Sequence, residues 1–597
     1  MCGIVSFCSG RPLERERLER AIESLRQRGP DGQGVWLHPQ ATAGLGHRRL
    51  AIVDRPGGQQ PFANEDGTVW AVVNGELYDF RAQRERLQGL GHRFQSDCDS
   101  EVVCHLYEQH GIDFVHQLRG EFAVLLYDVP RKRMLAVRDP FGIKPLCYAQ
   151  WENQWWFASK ACALWAAGLP SAWSPAGFWQ AASTQYTLPG QTLFEGIRQL
   201  PPGHVGVLED GELKEKRYWN PTMGASQPEE FLARLTQAVR ERLPEDMAAA
   251  LQLSGGIDSA AVVALAARER SGLTAFTVSF DQASHDEWDL AAQVAERCGV
   301  TLERVDLSGA DLLAALPEAV AASEGLAVNA HLAAKYRLDQ RIHQAGFKVV
   351  LTGEGADEVL LGYPHFRQDL AGSDAERRAI AASNPIAAGI MVTSSQGLAL
   401  TAVRQRLGSV PAFLEAKAAL GSKIHSCLRP DFVREWSSRD AFADMVVGAP
   451  LGDRLDQASW LWNRSALANY ILHTLGDGCE MAHSLEGRLP FLDGSLAQWL
   501  GGLPRDWKIR QGREKYVLRE ALREFLPATI VDRQKQPFMA PPLDDLLREH
   551  LRELSLQDHP FLDGEGVRRQ LDSPGAEWAP ALTWVATAYH MQDRLPL

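Results

Sequence analysis

The stretch Ala249-Ala-Leu-Gln-Leu-Ser254-Gly-Gly-Ile-Asp258-Ser259 organises the C-terminal half of the chain. An apolar run ends in paired glycines and hydroxyls, and a helix-type sequence begins at Ala260. Backbone N–H groups and a helix N-terminus in this arrangement make a cradle for anions, phosphates above all. The GxxxxGK[ST] spacing is absent, so this is not a Walker-type loop. Two further apolar runs, Ala275–Phe280 and Lys348–Thr352, alternate with Ala/Leu/Arg-rich helical stretches. Strand–helix–strand alternation predicts a parallel sheet with crossover helices, an α/β domain with a large helical part beyond about residue 360. The last of these runs leads into Leu351-Thr352-Gly353-Glu354-Gly-Ala-Asp357, a second strand end with glycines and acids. Carboxylates placed this way suit Mg²⁺ bridging phosphates, with Asp258 and Asp357 as the metal candidates.

Upstream of a boundary expected near 205–228 the texture changes. Short β-type runs (Cys2–Phe7, Gly44–Val53, Val69–Asn74, Phe122–Tyr127, Met134–Arg138, Trp155–Ala158) are separated by turns, with helical stretches near Leu18–Arg28 and Ser100–Gln109. Clustered strands with helices set apart predict an α+β layered domain. Pro201-Pro-Gly-His to Tyr218-Trp-Asn-Pro221 reads as a last hairpin and an exit. The expected division is residues 1–205, a linker over 206–226, and 227–597. The 597 residues carry a formal charge of −13, which argues against a nucleic-acid or membrane-surface binder. No apolar run approaches the ~20 residues of a membrane-spanning helix, and no secretory signal is present. Nine dispersed cysteines without a CxxC pair read as reduced thiols of a cytoplasmic protein and make a structural zinc site unexpected.

At the start of the chain, removal of Met1 would leave Cys2 with its own α-amine as a nearby base. Around it stand Arg28-Gly-Pro-Asp-Gly, Gly46-His-Arg-Arg49-Leu-Ala-Ile52-Val-Asp, Val73-Asn74-Gly75-Glu76-Leu-Tyr, Leu118-Arg-Gly-Glu-Phe-Ala and Arg138-Asp-Pro-Phe-Gly-Ile-Lys-Pro-Leu. Together these resemble the glutaminase domain of class II (N-terminal nucleophile, Ntn) glutamine amidotransferases. The resemblance implies that Cys2 attacks the glutamine side-chain amide and that Asn74 and the Gly75 backbone stabilise the oxyanion. It further implies that Arg49 receives the α-carboxylate and Asp99 the α-ammonium, with Ile52 and Glu76 also lining the glutamine. Asp97 competes with Asp99 for that role.

The Ser254–Ser259 loop resembles the PP-loop of ATP pyrophosphatases, and the following motifs extend the match to the synthetase domain of asparagine synthetase and its relatives. Those motifs are Gln511-Gly-Arg-Glu-Lys515-Tyr-Val-Leu-Arg519, Arg533-Gln-Lys535, and Asp477 with Met481-Ala-His-Ser-Leu-Glu-Gly-Arg488-Leu-Pro-Phe-Leu-Asp493. The resemblance implies ATP contacts at Leu253, Ser254, Gly255, Gly256, Asp258, Ser259, Val278, Thr352 and Gly353. Glu354 would act near an adenylated intermediate, and Lys515 would neutralise charge on the phosphates. It implies ATP as substrate, Mg²⁺, glutamine and a carboxylic-acid acceptor, and leaves a homodimer open.

The acceptor is where the resemblance stops. Between Glu324 and Tyr336 no arginine stands ready for an α-carboxylate, and Gly478-Cys479-Glu480 replaces the usual Arg-Met-Ser. A pocket stripped of its fixed cation favours a larger, less charged acid than aspartate. The resemblance and this departure together imply a glutamine-dependent amide synthetase acting on an acid other than free aspartate. The competing assignments are a genuine asparagine synthetase, an intramolecular amide-forming cyclase, and an inactive regulatory homologue. The helical stretch at about 369–436 is left unassigned.

Overall fold

The computed structural model describes residues 2–220, 224–282, 284–382, 397–536, 538, 540–556, 559–573 and 578–595. Strands β1 to β12 are Gly3–Ser9, Gly32–Leu37, Ala43–Arg49, Phe62–Ala63, Val69–Leu77, Gly120–Asp128, Arg133–Arg138, Cys147–Trp151, Gln154–Ala158, Ile197–Gln199, His204–Glu209 and Glu212–Arg217. They form two facing six-stranded sheets, ordered β10-β8-β9-β1-β3-β2 and β12-β11-β7-β6-β5-β4. Every pairing in them is antiparallel. Side-chain alternation builds the layers. In β6, Ala123, Leu125 and Tyr127 enter the core between the sheets, while Phe122, Val124 and Leu126 turn outward. That outer face is covered by α2 (Phe80–Gly89) and α3 (Val102–His110), and α1 (Arg15–Glu23) covers the other sheet through Leu18, Ala21 and Ile22. This α-β-β-α stack is the expected Ntn layering.

The boundary differs from expectation. Val205–Leu208 of β11 pairs with Met134–Val137 of β7, and β12 closes that sheet's edge. The segment expected as linker from 206 thus belongs to the sheet as far as Arg217. The hairpin read over this stretch is formed by His204–Glu209 and Glu212–Arg217, the second strand polar and exposed along most of its length.

After α4 (Ala161–Ala166), α5 (Pro175–Thr184) and α6 (Phe231–Arg242), five parallel strands follow: β13 (Ala250–Gln252), β14 (Thr274–Phe280), β15 (Thr301–Leu307), β16 (Val349–Leu351) and β17 (Glu486–Arg488). Helices α7 (Ile257–Glu269), α8 (Trp288–Cys298), α9 (Gly309–Ser323) and α10 (His331–Gln344) intervene. The order β15-β14-β13-β16-β17 reverses direction between β13 and β16. Parallel sheets open a crevice at the carboxyl ends of such a reversal. Both glycine-rich loops of the sequence, after β13 and after β16, leave the sheet there.

The two halves are joined by buried charges. Glu121 accepts from Arg242 Nε at 2.9 Å and from the Leu489 N–H at 3.0 Å, and Arg488 pairs with Glu76 at 2.9 Å. Arg28 forms a two-pronged pair with Asp477, at 2.6 and 2.9 Å. Losing one member of such a pair strands its partner's charge, so these contacts fix the two halves in one orientation.

Two candidate active sites and the relatives of the chain

Cys2 stands at the entrance to β1 and is held by its backbone. Its N–H donates to Asn74 Oδ1 at 2.8 Å, and its carbonyl accepts from Arg28 Nε at 3.1 Å. Burial pushes the Cys2 thiol up. The Asn74 Nδ2 donor is fully buried and has no partner among the described residues, which leaves it available to an oxyanion formed beside the sulfur. Gly75 follows at φ +148°, where an added Cβ would lie 1.9 Å from the Glu121 carbonyl oxygen; the backbone has room for no side chain. Asn74→Ala is expected to slow glutamate release from glutamine by about 10²- to 10³-fold in kcat.

Arg49, at the end of β3, is buried and donates only to the carbonyls of Val53, Asp54 and Arg55; among the described residues no carboxylate pairs with it. Asp99 is buried and among the described residues pairs with no cation, accepting from the Leu77 N–H at 2.9 Å, and burial pushes its carboxyl up. A buried cation and a buried anion, neither paired with an opposite charge among the described residues, suit the two ends of an amino-acid zwitterion. Asp97, the competitor of Asp99, points outward and pairs with Arg84 at 3.0 Å. Glu76 is committed to Arg488, and Ile52 is buried.

The second site lies in the sheet crevice. The Ser254 N–H donates to Ser259 Oγ at 3.0 Å, and the Gly256 N–H to Ser254 Oγ at 3.2 Å, which closes the loop around its glycines. Gly353 presses on this loop, since a Cβ there would stand 2.6 Å from the Ser259 nitrogen. Asp258 and Asp357 share two lysines: Lys515 lies 2.5 Å from each, and Lys535 lies 3.3 and 2.7 Å away. One cavity of about 310 Å³ includes Leu253, Ser254, Asp258, Ser259, Val278, Thr352, Gly353, Glu354, Asp357 and Lys535 in its wall. The sequence-derived ATP residues Gly255 and Gly256 complete the loop beneath it.

The far wall holds what the sequence did not reveal. Gln185 and Tyr186 come from the turn after α5, and Lys417 from the helix Ala412–His425 inside the unassigned stretch, of which residues 383–396 lie outside the described residues. Tyr470 and Ile471 come from Asn463–Asp477, a helical segment with wide i→i+5 turns that also carries Asp477 to Arg28. The expectation of a pocket without cations fails. Lys335 of α10 lines it, and Glu480 explains itself as its partner, at 3.3 Å. No local signal links positions 145 residues apart; only the fold does.

An Ntn layer with an activated-amide site and a phosphate-loop sheet in one chain define a glutamine-hydrolysing carbon–nitrogen ligase. Residues 230–593 match the asparagine synthase family and residues 1–219 the glutamine amidotransferase domain, so the chain belongs to the asparagine synthase family. Among curated relatives it is 28% identical to amidase chry2 of Gibberella zeae, over 96% of this chain and 95% of that one. Amidase chyE of Penicillium rubens is 28% identical over 96% and 94%, and glutamine-hydrolysing asparagine synthetase 1 of Bacillus subtilis is 28% identical over 91% and 87%.

Proposed function

We propose that the protein adenylates a carboxylic acid other than free aspartate and converts it to an amide with ammonia taken from glutamine. Cys2 Sγ attacks the glutamine side-chain amide, Asn74 Nδ2 and the Gly75 N–H hold the oxyanion, and ammonia leaves a thioester that water hydrolyses to glutamate. Arg49 and Asp99 hold the two ends of the glutamine. In the crevice an acceptor carboxylate oxygen attacks the ATP α-phosphorus, pyrophosphate departs, and ammonia then displaces AMP from the acyl carbon. Lys515 and Lys535 neutralise charge on the departing phosphates, and Glu354 lines the same cavity.

Asp258 and Asp357 fit Mg²⁺: both are hard oxygen donors, and Asp258 Oδ1 is buried without a hydrogen-bond partner. When bound, the ion supplies charge neutralisation to the ATP phosphates. Ammonia transfer is favoured by a small cavity at the contact of the two halves, whose wall includes Leu146, Cys147, Phe194, Leu326 and Tyr470.

The observation that carries the acceptor assignment is the cavity wall itself. Tyr186, Tyr470, Trp462 and Phe538 make it broad and aromatic, and its Lys335 is already shared among three acids. Relatives that carry amidase names match over 96% of the chain, beside asparagine synthetases that match over 91 to 99%. The test is glutamine- and ATP-dependent pyrophosphate release with aspartate as sole acceptor. Glutamine hydrolysis without aspartate-dependent pyrophosphate is expected; robust turnover with asparagine appearing would make this an asparagine synthetase.

A further inference from the structure

Three lysines line the cavity: Lys535 pairs with Asp258 and Asp357, and the other two, Lys335 and Lys417, are about equally buried and opposite in electrostatic standing. Lys335 is surrounded by acids: Glu480 at 3.3 Å, Glu354 at 3.6 Å and Asp339 at 3.8 Å, with Gln252 Oε1 at 2.7 Å. Burial opposes its charge, yet these three carboxylates raise the amine and keep it an ammonium. It has no charge to spare for a ligand.

Lys417 is the reverse. Its ammonium donates to the Gln185 side-chain oxygen and stands 5.2 Å from the centre of the Tyr186 ring. Among the described residues no carboxylate pairs with it. Burial alone acts on its amine, pushing it down to about 7, and neither Asp258, Asp357 nor Glu354 offsets that. Glu358, on the same wall, is occupied by the Tyr363 hydroxyl at 2.9 Å and the Trp462 indole N–H at 3.2 Å. A neutral amide oxygen and a ring face are weak company for a desolvated cation, because a buried ion needs a full counter-charge. The glutamine site shows the same design in Arg49, a buried cation that meets only carbonyl oxygens. There the partner that fits is a substrate carboxylate.

We propose that Lys417 is the receptor for a second carboxylate of the acceptor, so that the acid amidated at the ATP loop is a dicarboxylic acid whose other end pairs with this lysine. The inference rests on reading the cavity as an acid-activation site. It also gives the helix Ala412–His425 a role in the chemistry, because that helix carries the specificity-determining cation which the segment Glu324–Tyr336 lacks as an arginine. The aromatic wall of Tyr186 and Tyr470 then spaces the two carboxylates. The bond-making end is unchanged: one carboxylate oxygen attacks phosphorus, and the other carboxylate stays ionised against Lys417.

The experiment compares α,ω-dicarboxylates from succinate to suberate, and phthalate, with the monomethyl ester of each, on the full-length enzyme. ATP–pyrophosphate exchange gives KM and kcat, and calorimetry with a non-hydrolysable ATP analogue gives binding alone. At least one diacid is expected to show a KM about 10- to 100-fold below that of its monoester, the range for losing a charge-assisted contact. Lys417→Met, which exchanges an unpaired buried charge for an apolar chain of similar length, is expected to raise the diacid KM towards that of the ester, with the change in KM rather than kcat. Equal KM values for diacid and monoester in the unmodified enzyme would overturn the proposal, whatever the variant does. So would a Lys417→Met variant that weakens ester and diacid alike, or that raises the KM for ATP instead. If no acid supports exchange, the acid-activation reading falls by itself, and calorimetry still decides whether Lys417 discriminates diacid from ester.

Discussion

Cys2→Ala is expected to abolish glutamine-driven amide synthesis, with glutamate release falling by about 10⁴-fold or more, while ammonium salts still drive pyrophosphate release at the other site. The size of the effect follows from how the residue is held. Its N–H donates to Asn74 and its carbonyl accepts from Arg28, and alanine leaves both backbone bonds intact while removing the sulfur. No other cysteine can substitute: Cys98 is buried beside Asp99, and burial and that carboxylate both raise its thiol. Cys2→Ser is expected to fare little better, because a hydroxyl in this buried setting lacks the thiol's nucleophilicity at neutral pH. The persistence of ammonia-driven turnover is the informative half, since the acids and lysines around the ATP loop share no side chain with the thiol site. Loss of ammonia-driven activity in Cys2→Ala would mean that the Asn74–Cys2–Arg28–Asp477 chain of contacts transmits more than orientation.

How far the sequence could be read depends on whether the signal is local. The loop Ser254–Ser259, the strand end at Thr352–Asp357 and the run Val73–Glu76 are each legible within a few residues, and the fold brings the first two to one cavity. Strands written as short apolar runs, such as Phe122–Tyr127, were legible, as was the hairpin that holds the polar edge strand β12; β2, with glycines at 32 and 34, was not. The acceptor wall was illegible for a different reason. Gln185, Lys335, Lys417, Tyr470 and Glu480 come from separate elements, and each alone looks like an ordinary helix or turn residue. Their meaning is a charge balance, and a charge balance exists only after folding. Reasoning from a missing arginine in one segment led to a cation-free pocket; the structure supplies cations from α10 and from the helix Ala412–His425 instead.

Lys515→Met is expected to lower the rate of acceptor-dependent pyrophosphate release by about 10²- to 10³-fold, the scale of one preorganised charge at a developing anion. More tellingly, Lys515→Arg is expected to be no better. Lys515 is fully buried at φ +58°, its amine pinned 2.5 Å from both Asp258 and Asp357. Gly362 packs so closely that a Cβ there would lie 1.9 Å from Lys515 Cε and 2.8 Å from its Nζ. A guanidinium is planar and larger than an ammonium, so it cannot enter this gap without displacing one of the acids. Retaining the charge without the shape therefore gains nothing. Loss of Lys515 also leaves Lys535 alone between two carboxylates. Burial already opposes the ionised form of Asp357, and Lys515 and Lys535 together hold it below the ordinary carboxylate range. With one cation gone, Asp357 is expected to take up a proton at higher pH, so residual activity in Lys515→Met should fall off on the acid side at a higher pH than in the unmodified enzyme. Pyrophosphate release measured across pH for both variants checks the point. An arginine variant within about tenfold of the original rate would show that charge alone matters here and that the close fit around Gly362 does not.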